Sequence, residues 1–182
     1  METKVYSLQN KRTLSFELSE AAEIIKNGGL VVFPTETVYG LGADATNPNA
    51  TSKIYTAKGR PSDNPLIIHI AEPTDVERYA FANPTYYMLA EHFMPGPLTV
   101  ILPSRESVPR TTRGGLDTVA VRCPENEIAR ELIRLSGVAI AAPSANLSGS
   151  PSPTTFEYAY FDMNGRVDAI IDGGDCDFGH LP

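Results

Sequence analysis

Cysteine is scarce in this chain of 182 residues, since only Cys123 and Cys176 are present. Two cysteines are too few for a disulfide framework, and these two lie too far apart in sequence to show zinc-ligand spacing. The expected state is therefore two free thiols in a reducing cytosol.

Long apolar runs are also absent from the sequence. No stretch is long and hydrophobic enough to cross a bilayer. The first residues, METKVYSLQNKRTLSF, lack the apolar core of a signal peptide. These two absences predict a cytoplasmic protein that makes no contact with a membrane.

Positive charge is in deficit, because 15 lysines and arginines stand against 22 acidic residues, for a net charge of −7. A protein that binds nucleic acid across its whole surface is usually basic. Any anion site must then be local, built from a few convergent basic groups and backbone amides. This favours a small phosphate-bearing ligand over a long polyanion.

Three common catalytic motifs are missing as well. The sequence contains no Walker-type phosphate loop, no G-x-G-x-x-G fingerprint, and no nucleophile elbow accompanied by a Ser-His-Asp set. Their absence excludes an ordinary P-loop ATPase, a dinucleotide-dependent dehydrogenase and a serine hydrolase of the usual kind.

What the sequence does contain is an alternation of helix-like and strand-like segments. The length favours a single domain over residues 1–182, and 42% hydrophobic residues are ordinary for a globular protein. Helices are predicted at residues 18–27 (capped by Ser19), 51–58, behind a capping box at 74–77, at 85–93, at 124–135, and behind a capping box at 154–157. Strands are predicted at 30–33, 66–70, 98–102, 118–121, 138–142 and 167–171. The alternation indicates an α/β domain, and intervals too short for a crossover helix predict a mixed sheet.

Polar residues gather at the ends of predicted strands, where ligands bind in α/β sheets. The stretch PTETVYGLG at 34–42 offers hydroxyls at Thr35 and Tyr39, but it also fits a turn whose threonines satisfy their own backbone. In AAPSANLSG at 141–149, Ser144 and Asn146 could orient a triphosphate or simply cap a short helix. The residues alone leave both alternatives open in each stretch.

Three cations and one histidine complete the set of candidate site residues. Lys58 and Arg60 flank a glycine in a proline-rich loop and could hold two phosphates, or they could form a solvated helix end. Arg122 ends an apolar run, so it either pairs with an acid or receives an anionic ligand. His69 is either a satisfied core residue or a group that binds a carboxylate or a carbamate precursor.

Five stretches in this order give the chain a specific resemblance: PTETVYGLG, KGRPSDNPL, PGPLTVIL, TVAVRCP and SANLSGSPSPTT. They resemble the YrdC family, the threonylcarbamoyl-AMP synthases, over residues 18–174. The resemblance implies a twisted mixed sheet flanked by helices around a large concave pocket. It also implies an enzyme, a nucleotidyltransferase that condenses L-threonine, bicarbonate or CO2, and ATP into threonylcarbamoyl-AMP with release of pyrophosphate. A downstream complex then transfers the threonylcarbamoyl group to tRNA.

The resemblance also assigns the site residues. Those implied to bind ATP are Lys58, Arg60, Asn64, Ser144 and Asn146. Those implied to line the threonine and carbamate side are Thr35, Tyr39, His69, Thr118 and Arg122. Because the reaction needs no covalent enzyme intermediate, Lys58, Arg60 and Arg122 are expected to position substrates and neutralise charge. Mg²⁺ is expected to travel with ATP, and no dedicated metal site is predicted.

The sequence departs from the family pattern after Asp172. Members usually continue from Asp-Gly-Gly into a Ser-Thr-Val strand and an Arg-Pro-Gly-like tail, whereas this sequence stops at Pro182. We therefore expect the chain to lack a final strand, and to bind nucleotide more weakly or be less stable than a relative that has it. The extra C-terminal domain of larger members is expected to be absent too.

Three other functions fit parts of the pattern. The first is an RNA-binding module, which the net charge of −7 disfavours as a main role, although weak tRNA binding by a local basic concavity is compatible with it. The second is an inactive paralogue, which the intact Lys58, Arg60, Ser144 and Asn146 disfavour. The third is the carbamoyl-transfer domain of hydrogenase maturation proteins, whose zinc-finger and acylphosphatase-like regions have no counterpart here.

Overall fold

The structure is a computed structural model that describes residues 1–8 and 14–177. Its eight strands are β1 Lys4–Ser7, β2 Val31–Pro34, β3 Tyr39–Asp44, β4 Ile67–His69, β5 Thr99–Pro103, β6 Thr118–Arg122, β7 Ile140–Ala141 and β8 Ala169–Asp172. Its five α-helices are α1 Leu14–Lys26, α2 Pro48–Lys58, α3 Pro84–Phe93, α4 Glu127–Ser136 and α5 Phe156–Met163, with a 3₁₀ helix at Pro73–Arg78. In the described ranges no helix is both long and apolar enough to cross a membrane.

The strands form one mixed sheet in the order β1-β8-β2-β3-β7-β4-β6-β5. Three neighbouring pairs are parallel: β1 with β8, β8 with β2, and β4 with β6. The four other pairs are antiparallel. This arrangement confirms the predicted α/β fold with a mixed sheet.

Local sequence signals explain where several helices begin and end. The Asn47 side chain accepts hydrogen bonds from Asn49 and Ala50 at the start of α2, and Gly59 ends that helix in the left-handed conformation. Helix α4 repeats the pattern, with the Asn126 side chain accepting from the Ala129 N–H and Gly137 at the end. The end of α2 is therefore well defined, and Lys58 is its last residue.

Most of the predicted helix starts were wrong in detail, and helix α2, for example, begins at Pro48 rather than at residue 51. Helix α1 begins at Leu14, so Ser19 lies inside the helix rather than at its cap. The capping box predicted at 74–77 lies two residues earlier in the chain. The Asp75 carboxylate accepts the Glu72 N–H at the start of the 3₁₀ helix. Helix α4 begins at Glu127 instead of Pro124, and Thr155 caps α5. Neighbouring residues with equal capping chemistry compete, and tertiary contacts decide between them.

Strands β1 and β3 were not predicted. Strand β3 lies in the glycine-containing stretch interpreted as a loop, and its strand conformation depends on neighbours from other segments. A Cβ atom at Gly42 would lie 2.7 Å from both Ile140 Cγ2 and Phe33 Cε1. The glycine is therefore required by close packing across the sheet face, a reason that the local sequence does not contain.

The sheet has a hydrophobic core on each face. One core joins residues such as Leu41, Ile68 and Val121 to helices α2, α3 and α5. The other joins Phe33 and Ile140 to helices α1 and α4. Ile68 and His69 point to opposite faces of β4, as neighbouring residues of a strand do.

The second face is only partly covered. Where β4, β5 and β6 meet, Ile67, Thr118 and Ala120 are half-buried and Ile101 is 68% exposed. The register places these four residues on one face, since Ala120 pairs with both Ile67 and Ile101. We call these four residues the open half-face.

Candidate active site

The first part of the site is a group that we call the lysine cluster: the buried Lys58 and Asn146 and the half-buried Ser144. Lys58 is the last residue of α2, and its Nζ donates to the Ser144 carbonyl oxygen and lies 3.4 Å from Asn146 Oδ1. The Ser144 hydroxyl oxygen lies 3.5 Å from the same Nζ. Lys58 and Ser144 are 86 positions apart in sequence, so only the fold brings them together.

Burial gives the lysine cluster an unusual electrostatic state. Desolvation, together with the nearby charge of Arg60, lowers the pKa of Lys58 to about 8, while Asp162 acts in the opposite direction. Lys58 is therefore still mostly protonated at neutral pH. Its hydrogen-bond partners are neutral oxygens, so its positive charge remains available to an anion.

The loop that carries Ser144 and Asn146 is held from several sides. The Asn146 Nδ2 donates to the carbonyls of Leu147 and Ser150, both at 2.8 Å, which turns Oδ1 toward Lys58. The Asp162 carboxylate on α5 accepts the Leu147 N–H at 2.9 Å. These contacts preorganise the cluster before any ligand arrives.

Arg60 lies just beyond the lysine cluster. Its Nη2 donates to the carbonyl oxygens of Asn64 and Pro65, at 3.4 and 3.0 Å, so it closes the loop after α2. Within the described residues its buried Nε has no hydrogen-bond partner. Burial also lowers the pKa of the guanidinium. Asn64 contributes its backbone to this contact, and its side chain is exposed.

The second part of the site is a group that we call the arginine cluster: Arg122, Glu36, Thr37 and Thr35. Arg122 Nη2 forms an ion pair with Glu36, and Nη1 donates to the Thr37 hydroxyl at 3.3 Å. Arg122 is thus paired with an acid, which was one of the two alternatives left open by the sequence. Glu36 was not named as a site residue, although the sequence shows a carboxylate two residues after a buried strand.

Thr35 has the turn role that the sequence left as one alternative. Its hydroxyl donates to the Val38 carbonyl at 2.6 Å and accepts the N–H groups of Thr37 and Val38, each at 3.2 Å. It also lies 3.1 Å from the Thr37 hydroxyl, which connects it to Arg122. A direct contact between Thr35 and a substrate stays a prediction.

His69 is a buried neutral imidazole beside the arginine cluster. It pairs with Arg122 in the β4–β6 register, packs edge-on against Phe33 at 6.2 Å, and has Nδ1 3.2 Å from the Ile140 carbonyl oxygen. Desolvation lowers its pKa to about 4. Thr118 shares the sheet face of Arg122 but starts strand β6, about 13 Å along the strand.

Tyr39 lies on the other face of the sheet. Its ring is fully buried in the core that contains Leu41, and its hydroxyl donates to the Gly174 carbonyl at 2.6 Å. The same oxygen accepts the Gly173 N–H at 3.2 Å, and burial raises the pKa of the phenol. The structure gives Tyr39 a packing role, and its assignment to the substrate side stays a prediction without structural support.

One short segment connects the two clusters. Thr37 contacts Arg122, while Gly40, three residues later, bridges to Ser144. Three residues of extended chain span at most about 11 Å. The lysine and arginine clusters are therefore close enough to bind two parts of one small reaction complex.

These features define the class of protein. It is an α/β domain with a mixed sheet, and cationic and hydroxyl side chains lie close together at the ends of its strands and in the adjoining loops. The sequence has no P-loop, and the open half-face lies on the same sheet face as Arg122. Residues 23–180 match the Sua5, YciO and YrdC family, described as telomere recombination. The chain belongs to this family, which confirms the resemblance inferred from the sequence.

Characterised relatives give this membership more detail. The chain is 54% identical over 170 residues to the threonylcarbamoyl-AMP synthase of Pyrococcus abyssi, covering 93% of this chain and 50% of the relative. It is 51% identical over 166 residues to the enzyme of that name from Bacillus subtilis, covering 90% and 48%. The chain thus spans about half the length of these relatives.

A solved structure of a similar protein has the same fold and contains a bound amino acid. The structure of P. abyssi Sua5 complexed with L-threonine superposes with a TM-score of 0.91 at 50% identity. The match covers 98% of this chain and 52% of that one. The complex establishes that this similar protein binds L-threonine.

Proposed function

We propose that this chain synthesises threonylcarbamoyl-AMP from L-threonine, CO2 or bicarbonate, and ATP, releasing pyrophosphate. The observation that carries the proposal is the adjacency of the lysine and arginine clusters, joined by residues 37–40. The names of the similar proteins and the threonine complex of one of them support the same reaction.

On this proposal the lysine cluster and its neighbours bind ATP. Lys58 neutralises phosphate charge as a compact cation, and Arg60 adds a forked donor once it turns from the Asn64 and Pro65 carbonyls. Ser144 and Asn146 add neutral hydrogen-bonding groups. Asn64 is the fifth proposed ATP-binding residue, and Mg²⁺ would travel with the triphosphate, held mainly by phosphate and water.

The arginine cluster would bind the amino acid and its carbamate. Arg122 supplies the positive charge that a carboxylate requires, and Thr35 and Thr37 place hydroxyls beside it. His69, neutral because its pKa is about 4, can exchange hydrogen bonds without adding charge. Thr118 lies along the same face, on the open half-face.

The chemistry then requires two bond-forming steps. The neutral amine of threonine attacks CO2, and a C–N bond forms as one C–O π bond opens. The nitrogen then loses one proton to water or a buffer base, which gives a carbamate. A carbamate oxygen attacks the α-phosphorus of ATP, and the bond from that phosphorus to the β-phosphate oxygen breaks, so pyrophosphate leaves. The enzyme's part is to hold both partners in line and to neutralise the charge that develops on the phosphates.

The product, a mixed anhydride, would pass to a tRNA-modifying transferase complex. Such an anhydride hydrolyses readily in water, so we propose that a partner enzyme receives it soon after synthesis. We also propose that the chain works in the cytoplasm, where its substrates and tRNA are available.

Threonine-dependent release of pyrophosphate is the test of this function. The purified chain would be incubated with ATP, Mg²⁺ and bicarbonate, with L-threonine, with L-serine, or without an amino acid. We expect release with L-threonine, less release with L-serine, and none without bicarbonate. Lys58→Ala should release much less pyrophosphate than the wild type, because it binds ATP more weakly. Mass spectrometry should then detect threonylcarbamoyl-AMP.

Two results would contradict the proposal. Equal release with and without L-threonine would indicate an ATP-hydrolysing contaminant or a different reaction. No release, while ATP and L-threonine both bind, would favour the inactive paralogue.

A further inference from the structure

Glu36 is a buried carboxylate with an unusual set of partners. It is 1% exposed and follows strand β2, in the turn that leads to β3. Its Oε1 forms the ion pair with Arg122, while its Oε2 accepts the backbone N–H groups of Glu125 and Asn126. One carboxylate therefore joins the turn, strand β6 and the start of helix α4.

The two backbone bonds fix Glu36 with respect to α4. Residues at a helix start have N–H groups that the helix itself cannot satisfy, and the positive end of the helix dipole lies there. Asn126 is the cap of α4, and its own side chain accepts the Ala129 N–H. Glu36 thus satisfies donors before the first turn, and those donors offset part of its negative charge.

Arg122 is held on three sides by this arrangement. Its Nε donates to the Gly96 carbonyl at 3.3 Å, its Nη1 to Thr37, and its Nη2 contacts Glu36. A guanidinium has five N–H donors, so these contacts leave one on Nη1 and one on Nη2. Because Nη2 is fully buried, the donor on Nη1 is the one left for a ligand. Because three contacts define the plane of the group, the direction of the remaining Nη1 donor is fixed as well.

We propose that Glu36 is a positioning residue for the amino-acid substrate: it orients Arg122 so that the remaining donor on Nη1 meets the substrate carboxylate. This inference rests on the proposed function. Since the N–H groups of Glu125 and Asn126, which precede α4, offset part of the Glu36 charge, the cluster keeps a positive field toward the substrate. Glu36 itself need not touch threonine.

The primary test compares binding of L-threonine and of ATP in three variants by calorimetry. Glu36→Gln removes the charge while keeping the shape, and Glu36→Asp shortens the carboxylate. The matched control is Glu125→Gln, because Glu125 is exposed and supplies only its backbone N–H to Glu36. We expect Glu36→Gln to weaken L-threonine binding at least about tenfold, as for a lost charged hydrogen bond, with ATP affinity within about twofold.

The control and the conservative variant sharpen that expectation. Glu125→Gln should match the wild type for both ligands, and Glu36→Asp should fall between the wild type and Glu36→Gln. In an Arg122→Lys background, Glu36→Gln should add little further loss, because the two residues act as one unit. Equal weakening of both ligands, or fully additive losses, would overturn the positioning role.

A second measurement tests the orientation of Arg122 without any substrate. Phenylglyoxal modification of Arg122, followed by peptide mass spectrometry, should be several-fold faster in Glu36→Gln than in the wild type or Glu125→Gln. Unchanged labelling would refute the inference even if the protein proved not to bind threonine. Conversely, a wild type that does not bind threonine but shows the labelling difference would refute only the proposed function.

Folding of the variants is checked by circular dichroism before either measurement. Should Glu36→Gln fail to fold because it leaves a buried guanidinium without its acid, Glu36→Asp takes its place in both experiments. An L-threonine affinity and a labelling rate equal to wild type in Glu36→Asp would then count against the proposal.

Discussion

Among single residues, Lys58 has the clearest consequence for function, because it is buried and has only neutral partners. Replacing it with alanine removes a cation and leaves Ser144 and Asn146 without their donor. We expect Lys58→Ala to weaken ATP binding by about 1.5–3 kcal/mol, and Arg60→Ala to do the same. Titration calorimetry measures both effects.

The same helix offers a matched control for Lys58. Lys53 is an exposed lysine of α2 whose Nζ donates to the Gly28 carbonyl, away from the cluster. Lys53→Ala should bind ATP as the wild type does. Unchanged ATP affinity in both Lys58→Ala and Arg60→Ala would remove the phosphate-binding assignment.

The depressed pKa of Lys58 predicts a pH dependence of ATP binding. Only the protonated amine attracts phosphate, so affinity should fall as the pH rises through about 8, the pKa in the ligand-free protein. Lys58→Arg should bind with little change over that range, because a guanidinium stays protonated. A flat profile in the wild type would contradict the assignment.

Asp162 provides a further check on this pH dependence. Its charge raises the pKa of Lys58, and its carboxylate also holds the Leu147 N–H. Asp162→Asn should therefore move the decline in ATP affinity to lower pH.

The low pKa of Lys58 affects folding stability in the opposite direction to ATP binding. Between pH values of about 8 and 10.5 the unfolded chain binds more protons at Lys58 than the folded chain does, so the free energy of unfolding rises with pH there.

At the scale of an element, strand β3 depends on two glycines that differ in the space around them. A Cβ at Gly42 would lie 2.7 Å from Ile140 and Phe33, whereas one at Gly40 would lie 3.4 Å from Ala142 and Phe33. Neither glycine has a positive φ, so the contrast is one of packing alone. The Gly40 and Gly42 substitutions therefore form a matched pair.

We expect Gly42→Ala to destabilise the protein by about 1–3 kcal/mol, as for an overpacked core. Gly40→Ala should cost far less, since 3.4 Å is an ordinary contact distance. Urea denaturation of the two variants measures the difference. Equal stabilities would show that β3 moves away from the opposing core without strain.

Helix α4 shows how an element can serve both the fold and the site. The sequence predicted a helix at 124–135, and Gly137 marks its end. Its start, however, lies three residues later than predicted, at Glu127, where Asn126 caps it and Glu36 accepts two preceding N–H groups. Glu36 thereby contacts both the residues that precede α4 and the guanidinium of Arg122.

At the scale of the whole molecule, the net charge of −7 makes direct binding of tRNA by this chain unfavourable. A domain that bound tRNA by itself would need a basic surface that releases counterions, and such binding would weaken steeply with salt. We expect no gel shift of tRNA by the isolated chain at an ionic strength of about 0.15 M. A specific shift that persists at this salt would revive the RNA-binding alternative.

The sequence by itself determined the class of fold and most of its elements. Apolar runs and capping residues predicted six of the strands and the five α-helices, because hydrophobic periodicity and caps are local properties. The ordered motifs identified the family, and the residue types named Lys58, Arg60, Ser144, Asn146 and Arg122 as candidates. These inferences needed no knowledge of which segments touch.

Only the tertiary structure decided which of these groups meet. The pairing of Lys58 with Ser144, the choice of Glu36 as the partner of Arg122, and the burial of Tyr39 on the opposite face all join distant segments. Strand β3 was missed for the same reason, since its glycines are explained by Phe33 and Ile140. Burial and long-range packing depend on the sheet order, and no local pattern encodes that order.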